Sequence, residues 1–153
     1  FAAIESGAPV VNMFSAYGGI RWGSGLARSF QYEHTQSRIG GTPWNATTRY
    51  FENSPLFFMD KVHTPILIMH NDADGHVPWY QGIEYFVAMK RLGRPVWMLN
   101  YTGEPHWPLK KANQIDFQIR MLQFFNHYLK GEQAPKWMSE GVPAVKQPFE
   151  LGY

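Results

Sequence analysis

The sequence predicts an α/β fold in which parallel strands alternate with helices. Residues 66–70 are a continuous apolar run, which is typical of a strand buried on both faces of a parallel sheet. Residues 96–100 form a second such strand, and the segment between them, 78–92, has helical spacing. A strand, a helix and a second strand in this order form a crossover unit, which makes the two strands parallel.

Two helices flank these strands. Pro78 opens the first, which Gly93 ends, and residues 112–129 form the second, which Gly131 ends. Apolar residues three and four positions apart predict the buried face of each helix: Ile83, Phe86 and Val87 in the first, and Ile115, Ile119, Leu122 and Phe125 in the second.

The elements upstream of residue 66 are short. Residues 1–4 are apolar and predict the middle of a buried strand, whereas residues 15–41 are rich in Gly and Ser and predict mostly loop. Thr42-Pro43 is a helix start signal. Short helical turns are predicted at residues 26–33, 44–51 and 55–62, the last of them capped by Ser54.

One domain accounts for the 153 residues. Residues 1–131 carry the periodic pattern. Residues 132–153 contain Pro135, Pro143 and Pro148 without periodicity, which predicts an ordered tail with little regular structure.

Composition excludes several classes of function. Lys and Arg total 14 against 12 for Asp and Glu, and they are spread along the chain, which argues against a nucleic-acid partner. No run approaches 18 apolar residues, so no transmembrane helix is expected. The absence of Cys excludes disulfides, thiolate metal sites and a Cys nucleophile.

An acid and a histidine follow the two predicted strands. Asp74 lies in the loop after the first strand and His106 in the loop after the second, about one crossover unit apart. Because the carboxyl ends of parallel strands meet at one edge of a sheet, we expect both side chains there. A carboxylate that reaches an imidazole fixes its tautomer and stabilises its protonated form, so the pair is two thirds of a hydrolase triad.

The sequence around this pair resembles a known family. His-Asn-Asp-Ala-Asp-Gly-His-Val-Pro at 70–78 and Tyr-Thr-Gly-Glu-Pro-His at 101–106 resemble the C-terminal end of prolyl oligopeptidase-type serine peptidases, in particular the dipeptidyl peptidase IV and acylaminoacyl peptidase branches. The likeness extends upstream through residues 61–65 and back to 3–10, and downstream to 134–138. It implies that residues 1–131 form a partial α/β-hydrolase fold, namely the C-terminal portion of a catalytic domain.

The resemblance also implies roles for single residues. Asp74 matches the acid of the triad and His106 its base, and Asn71 stands where the family usually has Gly. Val10 and Val77 match positions that line the pocket for the residue before the scissile bond. Met13 stands near the place of a pocket aromatic, and His76 is expected to face the substrate.

The nucleophile is missing from the sequence. No Ser lies in the Gly-x-Ser-x-Gly pattern that exposes the serine of an α/β-hydrolase, and in Gly23-Ser24-Gly25 the glycines are one position too close. In the family this pattern precedes the strand that residues 1–4 resemble. The resemblance therefore implies a serine, oxyanion-hole donors and a propeller or insertion upstream of residue 1.

The expected function is that of a fragment of a serine exopeptidase acting on short peptides, of dipeptidyl or acylaminoacyl type, without a cofactor. Two alternatives stay open: an ester or amide hydrolase on the same fold, and a non-catalytic interaction module. The family resemblance allows a homodimer. It favours a periplasmic or secreted enzyme, and the cytoplasm stays open as a third compartment.

Other polar residues of the sequence suggest further sites. Six His residues suggest a metal centre, but no His-x-x-x-His pair occurs and the resemblance explains the loop that contains His70 and His76 without a metal. Glu104 is interpreted as a solvated loop carboxylate, with recognition of a substrate amine as the alternative.

Overall fold

The computed structural model describes residues 1–147 and 149–153 and contains both helices and strands. Pro148 of the predicted tail lies outside the described residues. The elements are β1 (Ile4–Gly7), α1 (Met13–Tyr17), β2 (Ile20–Arg21), β3 (Leu26–Ala27), α2 (Ser29–Glu33), α3 (Thr47–Glu52), a 3₁₀ helix (Pro55–Lys61), β4 (Ile66–Met69), α4 (Tyr80–Arg91), β5 (Val96–Leu99), α5 (Lys111–Lys130), α6 (Lys136–Ser139) and a second 3₁₀ helix (Ala144–Lys146).

The main sheet has three parallel strands in the order β1-β4-β5. All four residues of β4 are buried, as a central strand covered on both faces requires. Helix α4 connects β4 to β5, so the predicted crossover unit and the α/β class are confirmed. Strands β2 and β3 form a small antiparallel hairpin outside this sheet.

The first strand lies later than predicted. It begins at Ile4, which pairs with Ile66, and Phe1 is fully exposed. The predicted boundaries of this strand, residues 1–4, were therefore wrong. Glu5 and Ser6 continue the backbone pairing along β4 although their side chains are polar.

Ser54 does not cap the 3₁₀ helix that follows it. Its side chain makes no cap hydrogen bond; the hydroxyl donates to Tyr50 O and accepts from Met13 N. The prediction of a cap was wrong because α1, which is distant in sequence, presents an unsatisfied N–H to the same hydroxyl.

The faces of the two long helices differ from the predicted stripes. Val87 is 48% exposed on α4, whereas Met89 is fully buried there. On α5, Ile115 and Leu122 are 49% and 60% exposed, and the buried residues are Arg120 and Phe124. Both predicted stripes were wrong at these positions because helical spacing shows that a face is apolar but not what covers it.

The tail packs onto the domain. Trp137 and Met138 of α6 are buried in one cluster with Leu67 and Phe124, and Trp97 Nε1 donates to Met138 O at 2.9 Å. The C-terminal end of the tail is held by Arg120, whose side chain donates a hydrogen bond to Leu151 O. The tail therefore contains two short helices, more regular structure than predicted.

Within the described residues, no helix combines the length and the apolar character needed to cross a membrane.

Candidate active site

The loop after β4 fixes Asp74. Its Oδ1 accepts hydrogen bonds from the backbone N–H groups of His76 at 2.7 Å and Val77 at 2.9 Å. The carboxylate side chain is fully buried. Both bonds are short-range, so the sequence Asp-Gly-His-Val closes a turn around its own acid.

The other oxygen of this carboxylate meets a histidine from the next loop. Asp74 Oδ2 lies 2.8 Å from His106 Nδ1, and the imidazole remains 30% exposed. The structure thus brings together two side chains that are 32 positions apart in sequence. Because Nδ1 donates to the carboxylate, Nε2 is the ring nitrogen left to exchange a proton at the surface.

Asp74 is held in its ionised form. Burial raises its pKa, but the hydrogen bonds from His70, Val77, His106 and His76 outweigh that effect and lower the pKa below its usual range. An ionised carboxylate that accepts from Nδ1 fixes the orientation and the tautomer of the His106 imidazole.

Two further residues shape the loop of His106. Glu104 is 1% exposed, and its carboxylate accepts from Leu109 N, Lys110 N and Asn113 Nδ2. Both interpretations of Glu104 from the sequence, as a solvated carboxylate and as a ligand for a substrate amine, were therefore wrong. Asn71 is also buried and joins the two loops, since its side chain donates to Pro105 O and accepts from Tyr101 N.

Comparison with known proteins identifies the family. The model of the prolyl oligopeptidase family matches residues 1–132. The chain belongs to the prolyl oligopeptidase family. Among curated relatives, the dipeptidyl-peptidase 5 of Porphyromonas endodontalis is 36% identical over 129 residues, 78% of this chain and 18% of that protein. The dipeptidyl-peptidase 5 of Schizosaccharomyces pombe is 31% identical over 92 residues, 60% of this chain and 14% of that protein.

Solved structures show the fold. An acylaminoacyl peptidase of Pyrococcus horikoshii superimposes with a TM-score of 0.71 and 18% identity over 94% of this chain and 22% of its own. A puromycin-hydrolyzing peptidase of Mycobacterium tuberculosis gives the same TM-score at 23% identity over 84% of this chain and 18% of its own. The sheet and helices described above are thus part of an α/β-hydrolase fold, and the chain spans about a fifth of these family structures.

The predicted pocket residues of this family member fall in two places. Val10 and Met13 pack together against the buried cluster of Ala16, Tyr32, Ile39 and Tyr50. Val77 lies on the loop of Asp74, where it is buried. Their assignment to a substrate pocket stays a prediction.

His76 lies beside His106 and Trp107 in a group of three aromatic rings. The His76 ring meets the His106 ring edge-on, with 5.3 Å between the ring centroids, and stacks on the Trp107 ring, with 6.3 Å between the centroids. The β2–β3 hairpin holds it from the other side, because Arg21 donates to His76 Nδ1 and Arg28 to His76 O. No local motif in the sequence indicated Arg21 or Arg28.

Other features of the described residues lie away from Asp74 and His106. No group of three or more His, Cys, Asp or Glu side chains in this part of the chain is placed to hold a metal ion. A cavity of about 550 Å³ lies between β5, α5 and the tail, lined among others by Tyr101 and Asp116.

Proposed function

We propose that this chain supplies the acid, Asp74, and the base, His106, of a serine peptidase triad whose serine lies upstream of residue 1. The observation that supports the proposal most directly is the 2.8 Å contact between Asp74 Oδ2 and His106 Nδ1 at the carboxyl edge of a parallel sheet. Membership of the prolyl oligopeptidase family supports it independently.

The reaction is acyl transfer to the upstream serine. His106 Nε2 takes the proton of the serine hydroxyl as the oxygen attacks the peptide carbonyl, and returns it to the leaving amine. Asp74 keeps Nδ1 protonated and stabilises the imidazolium. In the second step, His106 Nε2 takes a proton from water as the water attacks the acyl-enzyme, and returns it to the leaving serine oxygen. No step requires a cofactor.

The proposed substrates are short peptides. Relatives named dipeptidyl-peptidase 5 and acylaminoacyl peptidase favour removal of dipeptides or of single acylated residues from an N-terminus. Val10, Met13 and Val77 are proposed to line the pocket for the residue before the scissile bond, and His76 is proposed to face the substrate. The group that recognises the N-terminus is assigned to the upstream sequence. A homodimer, which the family resemblance allows, belongs to the same proposal.

Substitution of the pair in the full-length protein tests the function. We expect Asp74→Asn and His106→Ala each to lower kcat by roughly a thousandfold or more. The thermal midpoint should stay nearly unchanged in His106→Ala and fall in Asp74→Asn, because the latter loses a buried carboxylate whose pKa is lowered in the folded state. The amide that Asp74→Asn introduces would present a donor to His106 Nδ1 and force the other tautomer. The substrates are a dipeptidyl p-nitroanilide, an acylaminoacyl p-nitroanilide and a p-nitrophenyl ester.

Asp72→Asn is the matched control. Asp72 lies on the same loop and accepts from Gly103 N, a role that an amide oxygen can fill, so kcat should stay within about threefold of wild type. Near-normal kcat in either pair variant would exclude the triad assignment. Turnover of the ester alone by the wild-type protein would identify a non-peptidase hydrolase, and turnover of none of the three would favour a non-catalytic module.

A further inference from the structure

A second histidine contacts the carboxylate of Asp74. His70 follows β4 directly, and its backbone N–H donates to Leu99 O at 3.1 Å, which ties it to the sheet. The side chain is fully buried, and its Nε2 lies 3.3 Å from Asp74 Oδ2. That is the same oxygen that His106 reaches from the opposite loop.

The surroundings of this ring define where its hydrogen lies. Nε2 faces two oxygen atoms, Val77 O and Asp74 Oδ2, each at 3.3 Å, so Nε2 carries the hydrogen; its hydrogen bond goes to Val77 O, and Oδ2 lies within ion-pair distance of the same nitrogen. Nδ1 is buried and has no hydrogen-bond partner among the residues that the structure describes. Among the described residues, the ring therefore makes its side-chain hydrogen bond at the Nε2 end, which also faces the carboxylate of Asp74.

Helix α4 leaves space for this ring at one residue. A Cβ at Gly82 would lie 2.5 Å from His70 Nδ1 and 2.9 Å from its Cβ and Cγ. A contact below 3.0 Å would force either the added carbon or the ring to move. The ring is buried, and its residue is tied to the sheet by the hydrogen bond from His70 N to Leu99 O. Gly82 lies in the first turn of α4, and because glycine has no Cβ it leaves the ring in place.

We infer that His70 is a positioning residue for Asp74. Its ring holds Oδ2 at the position from which this oxygen accepts the hydrogen of His106 Nδ1, and the absence of a side chain at Gly82 leaves the space that the ring occupies. The inference rests on the proposed role of Asp74 and His106. Asp74 Oδ1 accepts from the backbone N–H groups of His76 and Val77, whereas Oδ2 accepts from His106 Nδ1 and lies 3.3 Å from His70 Nε2.

A matched pair of variants separates donation from packing. His70→Gln places an amide N–H near the position of Nε2, whereas His70→Met fills a similar length without a donor. Kinetics are measured on the full-length protein with a dipeptidyl p-nitroanilide. We expect kcat to fall about tenfold or more in the Met variant with KM within about twofold, and the Gln variant to recover most of the loss.

A purely structural role gives a different result. If His70 only fills space, the two variants will have equal kcat, or both will match wild type, and either result overturns the inference. Gly82→Ala is the second probe should His70→Met fail to fold, because it displaces the ring from the other side. A kcat unchanged in Gly82→Ala would likewise contradict the inference.

Asp74→Asn and His106→Ala in the same assay separate this inference from the proposed function. If they abolish turnover while His70→Met does not reduce it, only the role of His70 is wrong. If they retain turnover, both proposals are wrong.

Discussion

Two buried carboxylates hold the loops of the candidate site, and both have their oxygens filled by donors. Asp74 accepts hydrogen bonds from two backbone N–H groups and from His106, and His70 Nε2 lies 3.3 Å from the oxygen that faces His106. Glu104 accepts from the first residues of the segment leading into α5, so it fixes where the loop of His106 ends. A buried carboxylate is stabilising only when donors compensate its lost hydration, and both residues meet that condition.

Glu104→Gln tests this at the residue scale. The hydrogen bond from Leu109 N, with those from Asn113 and Lys110, lowers the pKa of Glu104 below its ordinary value of 4.5 despite burial. A lowered pKa contributes stability above that ordinary value, and the contribution is lost as pH falls through the folded-state pKa. The variant should therefore have a lower thermal midpoint at pH 7, and the difference should shrink in acid.

Thermal melts followed by circular dichroism over a pH series measure this difference. Glu52→Gln, at an exposed position on α3, is the control and should match wild type throughout. A Glu104→Gln deficit that is the same size in acid as at pH 7 would contradict a role for the charge.

Among the elements, the β2–β3 hairpin is the one whose placement depends on the candidate site. Gly23 N donates to Gly75 O, and the largely buried Arg28 donates to His76 O and to the Tyr32 hydroxyl. The hairpin has only two residues in each strand, too few for independent stability. Its position is therefore set by contacts with the loop of Asp74.

Arg28→Ala should release the hairpin from that loop. Removing a charged donor leaves His76 O unpaired, and we expect a loss of about 2 kcal/mol in the free energy of unfolding. Arg21→Ala on the same hairpin removes a less buried contact, with His76 Nδ1, and should lose less than about 1 kcal/mol. Urea denaturation of the two variants measures the difference; equal losses would show that burial of Arg28 does not matter.

Over the whole molecule, the features that could be predicted from the sequence are those that depend on residues close together along the chain. The run at Ile66–Met69 could be predicted as a central strand because four consecutive apolar residues need cover on both faces. The exposure of Ile115 and Leu122 could not, because periodicity does not say which face meets the sheet. The approach of Asp74 to His106 followed from the crossover, whereas the contact of His70 with Gly82 depends on packing between two elements.

The location of the serine is a prediction at the same scale. Ser24, the nearest match to a nucleophile pattern, lies in the exposed turn of the β2–β3 hairpin, and its hydroxyl donates to Arg21 O at 3.3 Å, not to a base. We therefore expect a fluorophosphonate, which labels activated serines, to leave the intact mass of the 153-residue chain unchanged. The full-length protein should gain one adduct, and His106→Ala should prevent it. A stoichiometric adduct on the 153-residue chain would instead place the nucleophile within it, with Ser24→Ala as the next variant to label.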